Sequence, residues 1–236
     1  KSGLGPYGDF IMQVDETVGK VLGTIDELGI SDDTLVIYTS DNGSYMYRYQ
    51  DGKKPDHLSD ESVQGYFEGH HTANGVLRGT KADIWEAGHR VPFLVRWPRK
   101  VKPGSTSGRT ITHTDFFATA LSVSGGRIPD AKVAAQDSFD FSPLFLGKDN
   151  GWRRAPVLHH SGGGMFAIRL GDWKLILGNG SGGREKPSGK RFDRPWQLYN
   201  LKEDLMERTD LYRENPEIAQ TLELKALEIM SNGRSR

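Results

Sequence analysis

Three short stretches of the 236-residue sequence hold side chains suited to catalysis or metal binding. The first is Asp41-Asn42-Gly43. A carboxylate beside an amide carbonyl offers two hard oxygens, which suit Ca²⁺ or Mg²⁺ rather than zinc. Gly43 lets the backbone turn so that both side chains face one point. The same triplet also makes an ordinary turn. The second stretch, from His70 to Arg90, places Arg78 and Lys81 three apart beside Gly79. A lysine there is a compact charge able to stabilise an anionic oxygen, and His70 and His71 can exchange protons near neutral pH. A solvated charged loop, with Trp85 and Glu86 packing and capping locally, accounts for the same residues. The third is His159-His160 before Ser161-Gly162-Gly163-Gly164. It has neither the HxxxH or HExxH spacing of a zinc site nor the G-x-S-x-G turn of a serine hydrolase. What remains is a junction loop that touches substrate, or one that only supports the fold.

The elements that position these stretches follow from periodicity. Val14, Val18, Val21, Leu22, Ile25 and Leu28 recur at helical spacing and Gly29 supplies a stop. Thr34 to Thr39 is β-branched and apolar on both faces, the pattern of a strand buried in a parallel sheet. Asp41-Asn42-Gly43 ends that strand, where open α/β sheets bind ligands. Ser44 to Gly69 is a long polar and aromatic loop without period. Val91 to Trp97 reads as a second strand with Pro92 at its start, and Thr114 as the cap of a helix carrying Phe116, Phe117, Ala120, Leu121 and Val123. This order predicts an α/β fold. From about Ala155 the pattern changes to short strands, at 166–170, 173–177 and 196–201, with a final helix opened by Asn215 and Pro216. We therefore expect an α/β portion over 1–154 and a small antiparallel α+β subdomain over 155–236. Ser181 to Arg191 is a basic glycine-rich loop, read as a solvated excursion.

Composition narrows the function. Hydrophobic residues at 36% and aromatic residues at 10% can bury a sizeable core. No apolar run approaches the length of a membrane-spanning helix. Lys+Arg and Asp+Glu both number 31, so no net field recruits nucleic acid or anionic lipid. With no cysteine, these residues hold no disulfide, thiolate metal site or cysteine nucleophile. The opening KSGLGPYGDF lacks a signal-peptide layout and runs at once into a helix, which is expected of a fragment.

Leu35 to Gly43, then Leu77-Arg78-Gly79-Thr80-Lys81, then Trp85-Glu86-Ala87-Gly88-His89-Arg90-Val91-Pro92 together resemble the formylglycine-dependent sulfatases of the alkaline phosphatase-like superfamily. Thr114 to Phe117, Asp140 to Leu144 and Leu198-Tyr199-Asn200-Leu201 match later landmarks in order. The resemblance implies that superfamily's mixed sheet flanked by helices, with the antiparallel subdomain at the C-terminal end. It implies Asp41 and Asn42 as ligands of one Ca²⁺ and Lys81 as the lysine that contacts the sulfate group. Arg78, Glu86 and Arg90 fall on structural or site-supporting positions, and Ala87 stands where many members have glycine. His71 and His160 are expected substrate-binding residues. The family's Cys-x-Pro-Ser-Arg stretch, source of formylglycine, has no equivalent here, and neither does its early aspartate pair. The expectation is thus the C-terminal part of a sulfatase, inactive alone and partnered by a missing N-terminal half of the catalytic domain. Sulfated carbohydrate is the expected substrate ahead of aryl sulfate, drawing on the aromatic loop from Tyr45 to Phe67. A periplasmic or secreted location is implied by the resemblance only. Alternatives are a phosphodiesterase or phosphonate hydrolase of the same superfamily, or a non-catalytic carbohydrate-binding relic.

Overall fold

The computed structural model describes residues 2–3, 5–45 and 73–236, so His71 and most of the aromatic loop lie outside the described residues. Helix α1 (Gly5–Glu27) lays Val14, Val18, Leu22 and Ile25 half-buried along one stripe and ends at Gly29, whose φ of +67° suits a residue without Cβ. Strand β1 (Val36–Thr39) pairs with β2 (Phe93–Arg96) in register Val36↔Arg96 to Thr39↔Phe93. That pairing is antiparallel, which corrects the parallel neighbour expected for the 34–39 run. A continuous apolar run reports burial and not strand direction, and here even the burial is incomplete: Tyr38 is 38% exposed and Leu94 59%. Arg96 reaches Asp26 at 2.5 Å, and the Trp97 indole donates to the Asp32 carbonyl at 3.0 Å, tying β2 to the turn after α1.

Helix α2 (Phe116–Val123) follows a 3-10 turn at His113–Asp115. Its opening residue is Thr112 and not Thr114: the Thr112 amide donates to Asp115 Oδ2 at 2.8 Å. Asp115 is fully buried and receives both Nε and Nη2 of Arg154, at 2.7 and 2.9 Å. The bidentate pair fixes the start of α2 against the strand that follows Arg154. The helix buries Ala118 and Thr119 and leaves Phe116 and Phe117 about half exposed. One further turn, α3 (Ser142–Phe145), packs Phe145 beside Phe141.

The C-terminal part is a four-stranded antiparallel sheet in the order β3 (Val157–His160), β4 (Phe166–Leu170), β5 (Trp173–Ile176), β6 (Gln197–Asn200). Helix α4 (Pro216–Asn232) lies against it, closed by Gly233 at φ +63°. The alternation of a strand sorts the side chains. Ile168, Leu175, Leu177 and Leu198 join Ala219, Leu222 and Ala226 of α4 on one face. Ala167, Ile176 and Tyr199 point the other way and meet Ile84 and Trp85. The sheet therefore presses its second face onto the segment that carries Lys81.

Candidate active site

Asp41 and Asn42 stand just beyond β1, Asp41 exposed and Asn42 half-buried. The Asn42 amide nitrogen donates to Asp41 Oδ2, so the two side chains converge. Gly43 is buried, and its N–H donates to the Gly88 carbonyl at 3.0 Å. A Cβ there would overlap the Ala87 carbonyl oxygen, so only glycine lets the two backbones approach this closely. Next in the chain, the Ser44 carbonyl accepts from the Lys81 N–H at 3.0 Å and from the Thr80 hydroxyl at 2.6 Å. Asp41-Asn42 and Lys81, about forty residues apart in the sequence, are thus fastened through one carbonyl. Their charges sense each other as well. Partial desolvation would raise Asp41, but the amides of Asp41 and Asn42, the Ser40 hydroxyl and the Lys81 ammonium outweigh it and hold the carboxyl below its usual range.

Lys81 is exposed, whereas Thr80 and residues 83–88 are buried almost completely, which overturns the reading of this stretch as a solvated loop. Asp83 explains part of the burial: its Oδ2 accepts the Thr80 N–H at 2.9 Å and its Oδ1 accepts those of Arg184 and Glu185 at 2.6 and 3.2 Å. Glu86, 1% exposed, explains the rest. Its carboxylate lies 3.0 Å from Lys174 Nζ and 2.7 Å from Arg90 Nε, and its N–H donates to Glu207 Oε2 at 2.6 Å. Lys174 Nζ is also 2.8 Å from Glu207 Oε1. Burial pushes both carboxyls up. At Glu86 the Lys174 and Arg90 charges more than reverse this, and its value falls well below the ordinary range, while Glu207 stays raised. Arg78 stacks 3.6 Å over the Trp85 ring and donates to the Glu207 carbonyl at 2.9 Å and the Tyr199 hydroxyl at 3.2 Å. Arg78 and Glu86 face inward in support of the segment that presents Lys81, and the exposed Arg90 reaches Glu86 from the surface.

The histidines divide. His159, on β3, turns to the Glu86 side, where its Nε2 meets His89 Nε2 at 3.1 Å. One imidazole donates and the other accepts, so the two cannot both be protonated. Burial, and then the Lys174 charge, push His89 down to about 3, and burial lowers His159 as well. His160 points to the opposite face at the exposed end of β3, its Nδ1 2.8 Å from the Ser161 carbonyl. Sequence reasoning missed Lys174 and Glu207. The signal for Lys174 was its parity with Ile176, which put a lysine on a buried face; nothing in the sequence marks Glu207.

As metal donors, Asp41 and Asn42 fit a hard cation in kind, an ionised carboxylate beside an amide, with Asn42 Nδ2 and not Oδ1 facing the carboxylate. In number they supply two of the six to eight oxygens that Ca²⁺ takes. Among the described residues no three His, Cys, Asp or Glu side chains gather to hold a metal.

Known proteins resemble this chain over most of its length. The family model described as Sulfatase covers residues 2–126. An N-acetylgalactosamine-6-O-sulfatase of Bacteroides thetaiotaomicron is 35% identical over 224 residues, 94% of this chain and 41% of that protein. Human arylsulfatase A is 32% identical over 178 residues, 74% of this chain and 31% of that protein. A solved structure from a Bacteroides thetaiotaomicron locus for the metabolism of multiple glycosaminoglycans superposes with a TM-score of 0.78 at 32% identity, covering 99% of this chain and 45% of that one. The chain spans less than half the length of these relatives. With the family model matched over 2–126 and 35% identity to a sulfatase over 94% of its length, the chain belongs to the sulfatase family.

Proposed function

We propose that this chain forms part of a sulfuric ester hydrolase acting on sulfated carbohydrates. The observation that supports the reading is the Ser44 carbonyl, which fastens the backbone after the Asp41-Asn42 turn to that of Lys81 and so brings a carboxylate, an amide and a lysine to one strand end. Lys81 places its charge against an oxygen of the sulfate ester, where negative charge grows as the S–O bond breaks. Asp41 and Asn42 would hold Ca²⁺ as part of its shell; such an ion, when bound, polarises sulfate oxygens as a Lewis acid. The remaining ligands and the formylglycine nucleophile come, on this reading, from outside these 236 residues. His71 and His160 are assigned to substrate binding, and the protein works in the periplasm or outside the cell, which fractionation of the producing cells would check.

Two assays test the proposal. The 236-residue chain alone should turn over no 4-methylumbelliferyl sulfate, and measurable turnover would refute its dependence on a missing part. In the full-length gene product, Lys81→Ala should lower kcat on the same ester by on the order of 10²–10³, with KM changing less. An unchanged kcat would remove Lys81 from the chemistry. Cleavage of a phosphodiester in place of the sulfate ester would move the protein to the phosphoryl branch of the superfamily.

A further inference from the structure

The basic glycine-rich loop is not a solvated excursion at its base. Gly178, Gly180, Ser181 and Gly182 are buried. The Ser181 carbonyl accepts the Ile84 N–H at 2.7 Å, and Gln197 Nε2 donates to the Gly178 and Gly180 carbonyls at 3.0 Å each. The Gly182 carbonyl accepts from the Gly163 N–H at 2.9 Å and from the Ser161 hydroxyl at 2.6 Å. This loop and the 162–164 turn are therefore joined by hydrogen bonds. Between them opens a cavity of about 770 Å³, within the range of small-ligand sites.

Ala82, the residue after Lys81, is one wall of that cavity, and its carbonyl accepts the Gly162 N–H at 2.9 Å. Ala82 holds φ at +79°, a left-handed conformation that costs a residue with a Cβ about 1 kcal/mol and that gathers at functional sites. A Cβ at Gly183 would overlap the Ala82 carbonyl, so glycine is needed for the loop to lie against the Lys81 segment. The rim is cationic: Arg184, Lys190 and Arg191 line the cavity, against the single acidic residue Asp193. Arg184 stacks 3.9 Å over Tyr45, which binds the rim to the segment carrying Asp41. Among the described residues the Lys190 and Arg191 side chains form no ion pair. The chain as a whole is neutral, with 31 residues of each sign, so this cluster is local.

We propose that this cavity is a second anion subsite, which takes a further sulfate or a carboxylate on the same glycan while the sulfate to be cleaved lies at Lys81, and that Lys190 and Arg191 set this specificity. Arginine gives such a group a two-pronged donor and lysine a movable charge. The preferred substrate is then a glycan carrying at least two anionic groups on one sugar or on neighbouring sugars. The subsite rests on the sulfate-ester reading of the Lys81 site, so its test reads binding without turnover.

The probes are three disaccharides bearing a CH₂–SO₃⁻ group in place of the cleavable sulfate ester: one with no other anion, one with a second sulfate, one with a carboxylate. Calorimetry with the full-length protein should show at least one second anion tightening Kd about tenfold, an effect that shrinks as salt rises. Whichever arm gains identifies the anion. In Lys190→Ala/Arg191→Ala the ratio between the one-anion and two-anion probes should fall toward unity, and Lys190→Arg/Arg191→Lys should restore it. Equal Kd values for all three probes, or a gain that survives the double alanine variant, overturn the proposal. Absence of aryl sulfate hydrolysis by the wild-type protein would instead count against the sulfatase reading, leaving the binding ratio to judge the subsite.

Discussion

At the scale of single residues, the site depends on atoms that are missing as much as on atoms that are present. Gly43 touches the Ala87 carbonyl so closely that a methyl group forces the backbone apart, and the Gly43–Gly88 hydrogen bond goes with it. Gly43→Ala should therefore cost about 2–3 kcal/mol in urea unfolding, and a loss under about 0.5 kcal/mol, the scatter of surface changes, would show that the two backbones do not meet there. Asp41, Asn42 and Lys81 could be picked out of the sequence because their types carry their chemistry and a family pattern gives their order. The need for Gly43 was only half readable: a turn explains a glycine, but the contact with Ala87 depends on a segment more than forty residues away. Lys174 hides for a related reason. Between two carboxylates it is fully buried, and in the sequence it is one more lysine in a strand.

At the scale of elements, local signals served well where the partner was local. The hairpin at Gly171-Asp172, the strands on either side of it and the start of α4 at Pro216 fall where turn and cap chemistry put them. Strand β3 escaped because only Val157 and Leu158 in it are apolar, while its two histidines suggested a site. Its parity is what matters, since it sends His159 to the Glu86 side and His160 away. That placement has a pH signature. His89 is held at about 3 against an ordinary 6.5, so between those values the folded chain binds fewer protons than the unfolded chain. Stability then rises with pH across that window and is lost on acidification below about 6.5. His159 acts in the same sense and Glu207, whose carboxyl is raised, in the opposite one. The urea midpoint should drop between pH 7.5 and 5, and His89→Gln/His159→Gln should flatten that slope. An identical slope in the variant would mean that neither imidazole is held neutral by the fold.

At the scale of the whole molecule, burial is uneven. The sheet of β3–β6 is packed on both faces, by α4 on one and by residues 84–85 on the other. By contrast α1 and the β1–β2 pair leave Phe10, Ile11, Met12, Val21, Tyr38 and Leu94 more than a third exposed. Amide exchange should follow this gradient: β4 and β5 should exchange slowest, close to global unfolding, and α1 orders of magnitude faster. Uniform protection would mean that the exposed face is covered in solution.

The Glu207 contacts carry a further consequence for synthesis. Its carbonyl holds Arg78 and its carboxylate holds the Glu86 amide, spanning 129 and 121 residues of chain. At about 5–20 residues per second, a ribosome releases the Lys81 segment on the order of ten seconds before it makes the residue that locks it. Throughout that interval Arg78 and the Glu86 amide stand without their Glu207 partner. A premature stop at Glu207, more than a hundred residues after Lys81, would leave the Lys81 segment without the contacts that lock it.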